Sequence, residues 1–499
     1  MEATGGASRD DGGAYAFSKV ETGTSMPARS VLWFRRDLRL DDHPALTRVC
    51  RESESFLPVW IDDPEDSARY GEGRASRWWL RRSVESLTKL LRAHGQELVV
   101  LHGDTRSCLE ALVRAEAVTD VYAHRRHEPR AIADEEALGD TFAKSGIRLH
   151  LFHDAYLHDP ARLLTATGHP FRIFTPFWRR LEQDLSALPA AFDPPALPPP
   201  WTTRGAISTR AETGFGEREP TWTRKFETLW TPGTVATLVR ARSFFEQRAR
   251  HYKLERDRLD RAATSGLAAP LHFGEISARR LEFLARDHCR VHPDEQAGID
   301  AFRRQLGWRE FARHLLVHDP TLVSEPFDRR YRDFPWSDDA ERLAAWKEGR
   351  LGAPLLDAAM RELWNTGTVH NRARMNVAGF LTRMLNVHWR HGLSWFAETL
   401  LDADLANNLF GWQWASGCGA DAAPFVRLFN PALQAQRFDP EGHYIARHLH
   451  SPDPQESDPP PPADGRKAPL RIPDRAALRR EALLRYERWR SRSTVDDTP

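Results

Sequence analysis

Cysteine is scarce: Cys50, Cys108, Cys289 and Cys418 are the only four in 499 residues. They lie far apart, with no CxxC pair and no Cys/His grouping at metal-ligand spacing, which excludes a disulfide scaffold, a zinc finger and a clustered thiol site. No metal is expected. Net charge is equally scarce, since 71 Lys+Arg against 70 Asp+Glu leave +1. No global field draws in nucleic acid, so a DNA site must be a local cluster of arginines. No run approaches the ~20 apolar residues of a membrane-spanning helix. The first 29 residues are rich in Gly, Ser and Thr, and lack the basic start and apolar block of a secretory signal. A disordered leader over 1–29 and a soluble, cytoplasmic chain are expected. There is no internal repeat.

What is present is enough for more than one core. The chain is 41% hydrophobic and 10% aromatic, with 17 tryptophans, and its length suggests roughly two to four domains. Short runs rich in β-branched and aromatic residues at Ser30–Phe34, Phe56–Ile61, Glu97–Leu101, Asp120–Ala123 and Ile147–Phe152 alternate with helix-length segments such as Ala75–His94. That alternation predicts βαβ units and a parallel, Rossmann-like sheet over residues 30–160. Neither GxGxxG nor GxxxxGK[ST] follows any of these strands, so the ordinary dinucleotide and P-loop readings fail. The proline-rich stretch LPAAFDPPALPPPW, Leu188–Trp201, reads as an extended connector inside an inter-domain segment 161–234. From about Val235 to His450 the apolar residues take helical spacing, as in Val377, Phe380, Leu381, Met384 and Leu385, predicting a mainly α domain. Residues 451–499 read as a proline-rich loop followed by a charged helix, Asp474–Arg492.

Three stretches of the helical half concentrate functional residue types: TSGLAAPLHFGEIS from Thr264, TGTVHNRARM from Thr366, and DADLANNLFGWQWASGCGADAAPFVRLFNP from Asp402. On a helix Asn371, Arg374 and Met375 share one face, where an Asn and an Arg need partners. Asp402 and Asp404 are candidates to pair Arg374; an ordinary inter-helix ion pair is the plainer alternative.

With VLWFRRDLRLDDHPAL, GEGRASRWWL, FTPFWRRL, LGWREFARHL and GAPLLDAAMRELWNTGTVHNRARM added, the chain resembles the photolyase/cryptochrome flavoprotein family from Ser30 to about Leu449, most of all its bacterial cyclobutane pyrimidine dimer photolyases. The resemblance implies an α/β antenna domain joined by a long connector to a helical domain holding folded FAD. By the same resemblance Tyr252, Thr264, Ser265 and Leu267 contact the FAD phosphates and ribose. Here Gly266, Ala268 and Ala269 replace Arg, Ser and Pro of the family's TSRLSP, which implies either weaker diphosphate affinity or compensation by another group such as Arg309. Arg309, Arg374, Asp402, Asp404 and Asn408 match flavin-ring positions, with Arg374–Asp402 as a buried pair. Asn408 falls opposite the flavin N5, where an amide stabilises reduced states.

Most tryptophans are core, but Trp412, Trp389 and Trp336 match the family's electron-transfer chain from flavin to surface. Photolyases flip their target out of the duplex, and a pocket for a flipped dimer needs aromatic walls and hydrogen bonds to base edges. Trp308 and Trp414 match the walls, Asn371 a base-edge partner and Met375 an apolar contact. Gln305 stands where cyclobutane-dimer photolyases carry Glu, keeping hydrogen bonding while losing a carboxylate. Arg256, Arg372 and Arg427 match positions near DNA phosphates. The resemblance thus implies a light-driven lyase, a deoxyribodipyrimidine photo-lyase acting as a monomer on UV-damaged DNA, with a cryptochrome-like photoreceptor as the alternative. In HRRHEPRAIADEE, Arg130 and Ala131 occupy the family's Asn-Glu folate position, so a second chromophore, folate or deazaflavin, is left open.

Overall fold

The computed structural model describes residues 29–63, 65, 71–153, 156–186, 188, 191–201, 219–449 and 475–493. The expected leader and the proline-rich loop after His450 lie outside the described residues, apart from Arg29.

Five strands, β1 (Ser30–Phe34), β2 (Phe56–Asp62), β3 (Val99–His102), β4 (Asp120–His124) and β5 (Arg148–Phe152), form one sheet in the order β3-β2-β1-β4-β5. Every pairing is parallel. The helices between them are α1 (Pro44–Glu52), α2 (Arg74–Ala93), α3 (Thr105–Ala115) and α4 (Pro129–Lys144). Side chains alternate across a strand, so Leu32 and Phe34 enter one core while Val31 and Trp33 enter the other. Strand order reverses between β1 and β4, which opens a crevice beyond their C-terminal ends.

The remainder is helical: α5 (Phe174–Leu185), α6 (Thr234–Gln247), the short α7 (Tyr252–Glu255) and α8 (Ala268–His272), α9 (Ala278–Val291), α10 (Gln296–His318), α11 (Ala340–Lys347), α12 (Pro354–Thr366), α13 (Asn371–Gly379), α14 (Trp389–Thr399), α15 (Leu405–Ser416), α16 (Pro431–Phe438), α17 (His443–Leu449) and α18 (Arg475–Ser493). Helix α5 falls in the stretch read as connector, yet Phe174, Phe177, Trp178 and Leu181 enter the helical core. Residues 191–201 form neither helix nor strand, and the carbonyl of Pro198 accepts from Nε2 of Gln96 at 2.7 Å. The helical spacing expected through Leu385 is interrupted. Phe380–Met384 form a π turn closed by the Leu385 N–H on the Phe380 carbonyl at 2.9 Å.

Buried acids join the halves, Glu275 and Asp42 among them. Glu275 accepts from Nε1 of Trp79 (2.8 Å) and Oγ of Ser83 (2.5 Å) on α2, the Gly233 N–H (2.7 Å) and Oγ1 of Thr237 (2.6 Å) on α6. Asp42 takes Nε of Arg279 at 2.9 Å and the Ser277 hydroxyl.

Candidate functional site

Helix α10 packs against α7 and α15, and α13 packs against α15, so the residues singled out from the sequence converge on one bundle. Tyr252 opens α7 with its ring edge-on to Phe244 at 5.4 Å. The turn before α8 carries Thr264, exposed, Ser265 and Gly266; Gly266 has φ +66, a left-handed conformation that suits glycine. Buried Leu267 directs its N–H toward Oγ of Ser265 at 3.4 Å.

The cations at this turn were not foreseen. Nη1 of Arg240 donates to the Gly266 carbonyl at 3.4 Å, and Nη1 of Arg248 to the Thr264 carbonyl at 3.1 Å. Burial pushes both guanidiniums below their usual pKa, and the like charge of Arg248 pushes Arg240 further down. Two partly desolvated cations beside two hydroxyls form a donor set that fits a diphosphate. Arg309, the expected compensator, points elsewhere. It donates to the Leu271 carbonyl at 3.3 Å, lies over the ring of Tyr156 at 4.4 Å and sits 3.5 Å from Glu310. The reason is its register on α10, which turns it toward the crevice between the two halves.

Arg374 and Asp402 do pair: Nη2 meets both carboxylate oxygens, at 3.0 and 3.1 Å, while Nε donates to the Val369 carbonyl at 2.8 Å. The pair is half-buried rather than buried, with the Arg374 side chain 29% exposed. Asp404 does not join it. One oxygen caps α15 by accepting the Asn407 N–H at 2.9 Å, and the other takes Nη2 of Arg313 at 3.0 Å, with His272 at 3.5 Å. Burial alone would raise this carboxyl; Arg313 and His272 override it and hold it well below the usual range. One turn into α15, Asn408 donates to the Leu393 carbonyl at 3.5 Å.

Trp412 is buried edge-on to Phe396 (4.9 Å) and Trp346 (5.9 Å). Helix α14 reaches it through Gly392, where a Cβ would lie 2.0 Å from the Trp412 ring. Trp389 begins that helix, and the His388 ring lies between Trp389 at 5.4 Å and half-buried Trp336 at 5.3 Å.

Trp308 stacks on Phe174 with centroids 3.5 Å apart and planes 8° apart; Arg304 covers Phe174 at 4.6 Å. Trp414, half-buried on α15, donates to the Asp421 carbonyl at 3.0 Å. Gln305 donates to the Ala301 carbonyl at 3.1 Å. Asn371 is exposed, its amide nitrogen 3.9 Å from Sδ of Met375. Arg372 pairs Asp257 at 2.6 Å, and Arg256 lies 3.7 Å from the same carboxylate. Arg427 is exposed on a loop fastened by Arg383, another residue the sequence did not flag. Buried Arg383 donates to the carbonyls of Ala415 (2.6 Å), Trp414 (3.3 Å), Ala423 (3.2 Å), Pro424 (3.0 Å), Phe425 (3.2 Å) and Arg427 (3.3 Å). Burial without a carboxylate lowers its pKa to about 10.

The crevice at the strand reversal is lined by Arg36, Arg126, Tyr156, Arg309, Arg313 and Asp404, and encloses a cavity of about 40 Å³. It brings the segment after β1, the end of β4 and α10 to one place.

Comparison with known proteins agrees with this architecture. The DNA photolyase family matches residues 30–200, and the FAD binding domain of DNA photolyase matches residues 302–455. A deoxyribodipyrimidine photo-lyase of Agrobacterium fabrum is 36% identical over 474 residues, covering 91% of this chain and 97% of the relative. Cryptochrome-2 of Arabidopsis thaliana is 32% identical over 440 residues, covering 85% and 71%. Among solved structures, a class III photolyase from Agrobacterium tumefaciens superposes with TM-score 0.83 at 34% identity, covering 94% of this chain and 99% of its own. An archaeal photolyase from Sulfolobus tokodaii with two FAD molecules gives 0.74 at 26% identity, covering 92% and 100%. The chain belongs to the photolyase/cryptochrome family, and its helical half carries the family's FAD-binding domain.

Proposed function

We propose that this protein is a light-driven DNA repair enzyme that splits cyclobutane pyrimidine dimers. The observation that carries the reading is the Trp308 platform: Phe174 stacks on one side of a half-buried indole at 3.5 Å, rigidifying a ring of the kind that receives a flipped base. When bound, reduced FAD supplies a photoexcited one-electron donor. The protein's own residues then bind and orient. Arg240, Arg248, Thr264 and Ser265 hold the diphosphate, and the Arg374–Asp402 pair and Asn408 meet the flavin ring. Trp308 and Trp414 hold the lesion, Asn371, Met375 and Gln305 contact its edges, and Arg256, Arg372 and Arg427 take DNA phosphates. Trp412, Trp389 and Trp336 form the path by which reducing electrons arrive. No protein nucleophile is required.

We place a second chromophore in the crevice between β1, β4 and α10, where its arginines favour a molecule bearing carboxylate or phosphate. Stacking is worth about 1–3 kcal/mol per base, so Trp308→Ala should weaken binding to a dimer-containing oligonucleotide by roughly 5- to 150-fold while FAD stays bound. Unchanged affinity would remove the assignment. A photoreceptor role is the second reading, favoured by Gln305 and the altered TSGLAA segment.

A further inference from the structure

Among the described residues, two clusters of side chains of metal-ligating type lie near the C-terminal ends of the strands, and they differ in kind. In the first, Asp37 lies 3.0 Å from Nε2 of His43 and 2.8 Å from Nδ1 of His124. The remaining nitrogen of each ring accepts a backbone N–H, from Leu46 at 3.0 Å and Ala45 at 3.3 Å. Each ring faces the Asp37 carboxylate with one nitrogen and accepts a backbone N–H with the other, and all three residues are buried. This is a sealed polar network.

The second cluster is open on one side. His127, three residues beyond β4 and 5% exposed, faces Nε2 toward Nδ1 of His153, the residue after β5, across 3.3 Å. An Asp159 oxygen lies 3.7 Å from Nε2 of His153, and one ligand atom from each of the three residues falls within 4.8 Å of the others. The side chains of His153 and Asp159 are 42% and 21% exposed, giving an ion a way in. Nδ1 of His127, the nitrogen that does not face His153, is buried with no hydrogen-bond partner.

We propose that His127, His153 and Asp159 bind one divalent d-block cation, with zinc the best match to two imidazoles and a carboxylate. Two nitrogens on one tetrahedral zinc, each ~2.0–2.1 Å from it, stand about 3.3 Å apart, the present separation of His127 Nε2 and His153 Nδ1; Asp159 now faces the other nitrogen of His153 and would have to turn to reach the same ion. Asp159 now meets Arg162 at 3.3 Å, a surface pair that is easily given up. Arg125 and Arg313 beside His127 oppose a cation, so affinity should fall well short of that of a structural zinc finger. The bound ion would fasten the segment after β5 to the end of β4. That segment carries Tyr156 over Arg309 and the Leu157 N–H that donates to Glu310 at 3.0 Å, so the ion would stiffen the rim of the crevice.

The test uses the full chain as purified, stripped with a chelator, dialysed and titrated with zinc chloride by calorimetry. One zinc per chain is expected, with two imidazoles in the X-ray absorption spectrum of the zinc. His153→Ala, at an exposed position, and Asp159→Asn should retain the circular dichroism melt of metal-free protein. Loss of an outer hydrogen-bond partner of a ligand costs roughly 10- to 100-fold in affinity, and His153→Ala should lose more than that. Absence of saturable binding, or one zinc held equally well by His153→Ala, would overturn the proposal.

Discussion

Asp404 should be costly to remove from this fold, because it caps one helix and pairs a buried arginine of another. Its side chain is 8% exposed and its partner Arg313 is 2% exposed, so solvent screens the pair little. Removing one member of a buried ion pair costs about 3–5 kcal/mol, and loss of a helix N-cap about 1 kcal/mol. Arg313 keeps Glu128 at 3.2 Å, which places the ion-pair loss at the lower end. Asp404→Asn, whose amide oxygen can still cap α15, should cost about 3 kcal/mol, and Asp404→Ala about 4 kcal/mol. The pH dependence has a definite sign. A carboxyl with a depressed folded pKa contributes stability that is complete above its unfolded value of ~3.9 and is lost as pH falls below it. The gap between wild type and Asp404→Asn should therefore be constant above about pH 5 and narrow below about pH 4. Urea unfolding followed by tryptophan fluorescence at several pH values measures it. A cost under about 1 kcal/mol, or a gap that widens in acid, would refute the reasoning.

Three further outcomes follow from the same geometry. Asp257→Asn frees Arg372 and Arg256 from a shared carboxylate, so affinity for damaged DNA should rise and its salt dependence steepen by roughly one unit, read by fluorescence anisotropy. Arg248→Ala removes a cation from the turn at Thr264; a charge-assisted hydrogen bond is worth about 1.5–3 kcal/mol, so FAD should dissociate roughly 10- to 150-fold more readily on dilution. Trp389→Phe keeps the packing of α14 but interrupts the aromatic path, and photoreduction followed by absorbance should slow; wild-type kinetics would exclude that path.

The α/β half was legible because a strand buried on both faces writes itself as a short apolar run. Ser30–Phe34 and Asp120–Ala123 needed no other signal, and the observed strands begin or end within two residues of those expected. The helical half was legible as a class but not in detail. A π turn at Phe380–Met384 leaves apolar spacing nearly unchanged while shifting the backbone hydrogen bond by one residue. Long-range pairing was the least visible. Asp404 and Arg313 are 91 residues apart, and Asp402 looked an equivalent carboxylate until the cap on α15 distinguished them. Arg240, Arg248 and Arg383 belong to no motif that singles them out; only the fold shows that they face backbone carbonyls. His127, His153 and Asp159 come together only because β4 and β5 are sheet neighbours.

The most direct test of the central claim is repair of an oligonucleotide carrying one thymine dimer by purified, photoreduced protein, in light and in a dark control. The account predicts restoration of intact thymines in light alone, despite glutamine at position 305. A protein that binds FAD and photoreduces yet leaves the dimer intact under illumination would contradict it.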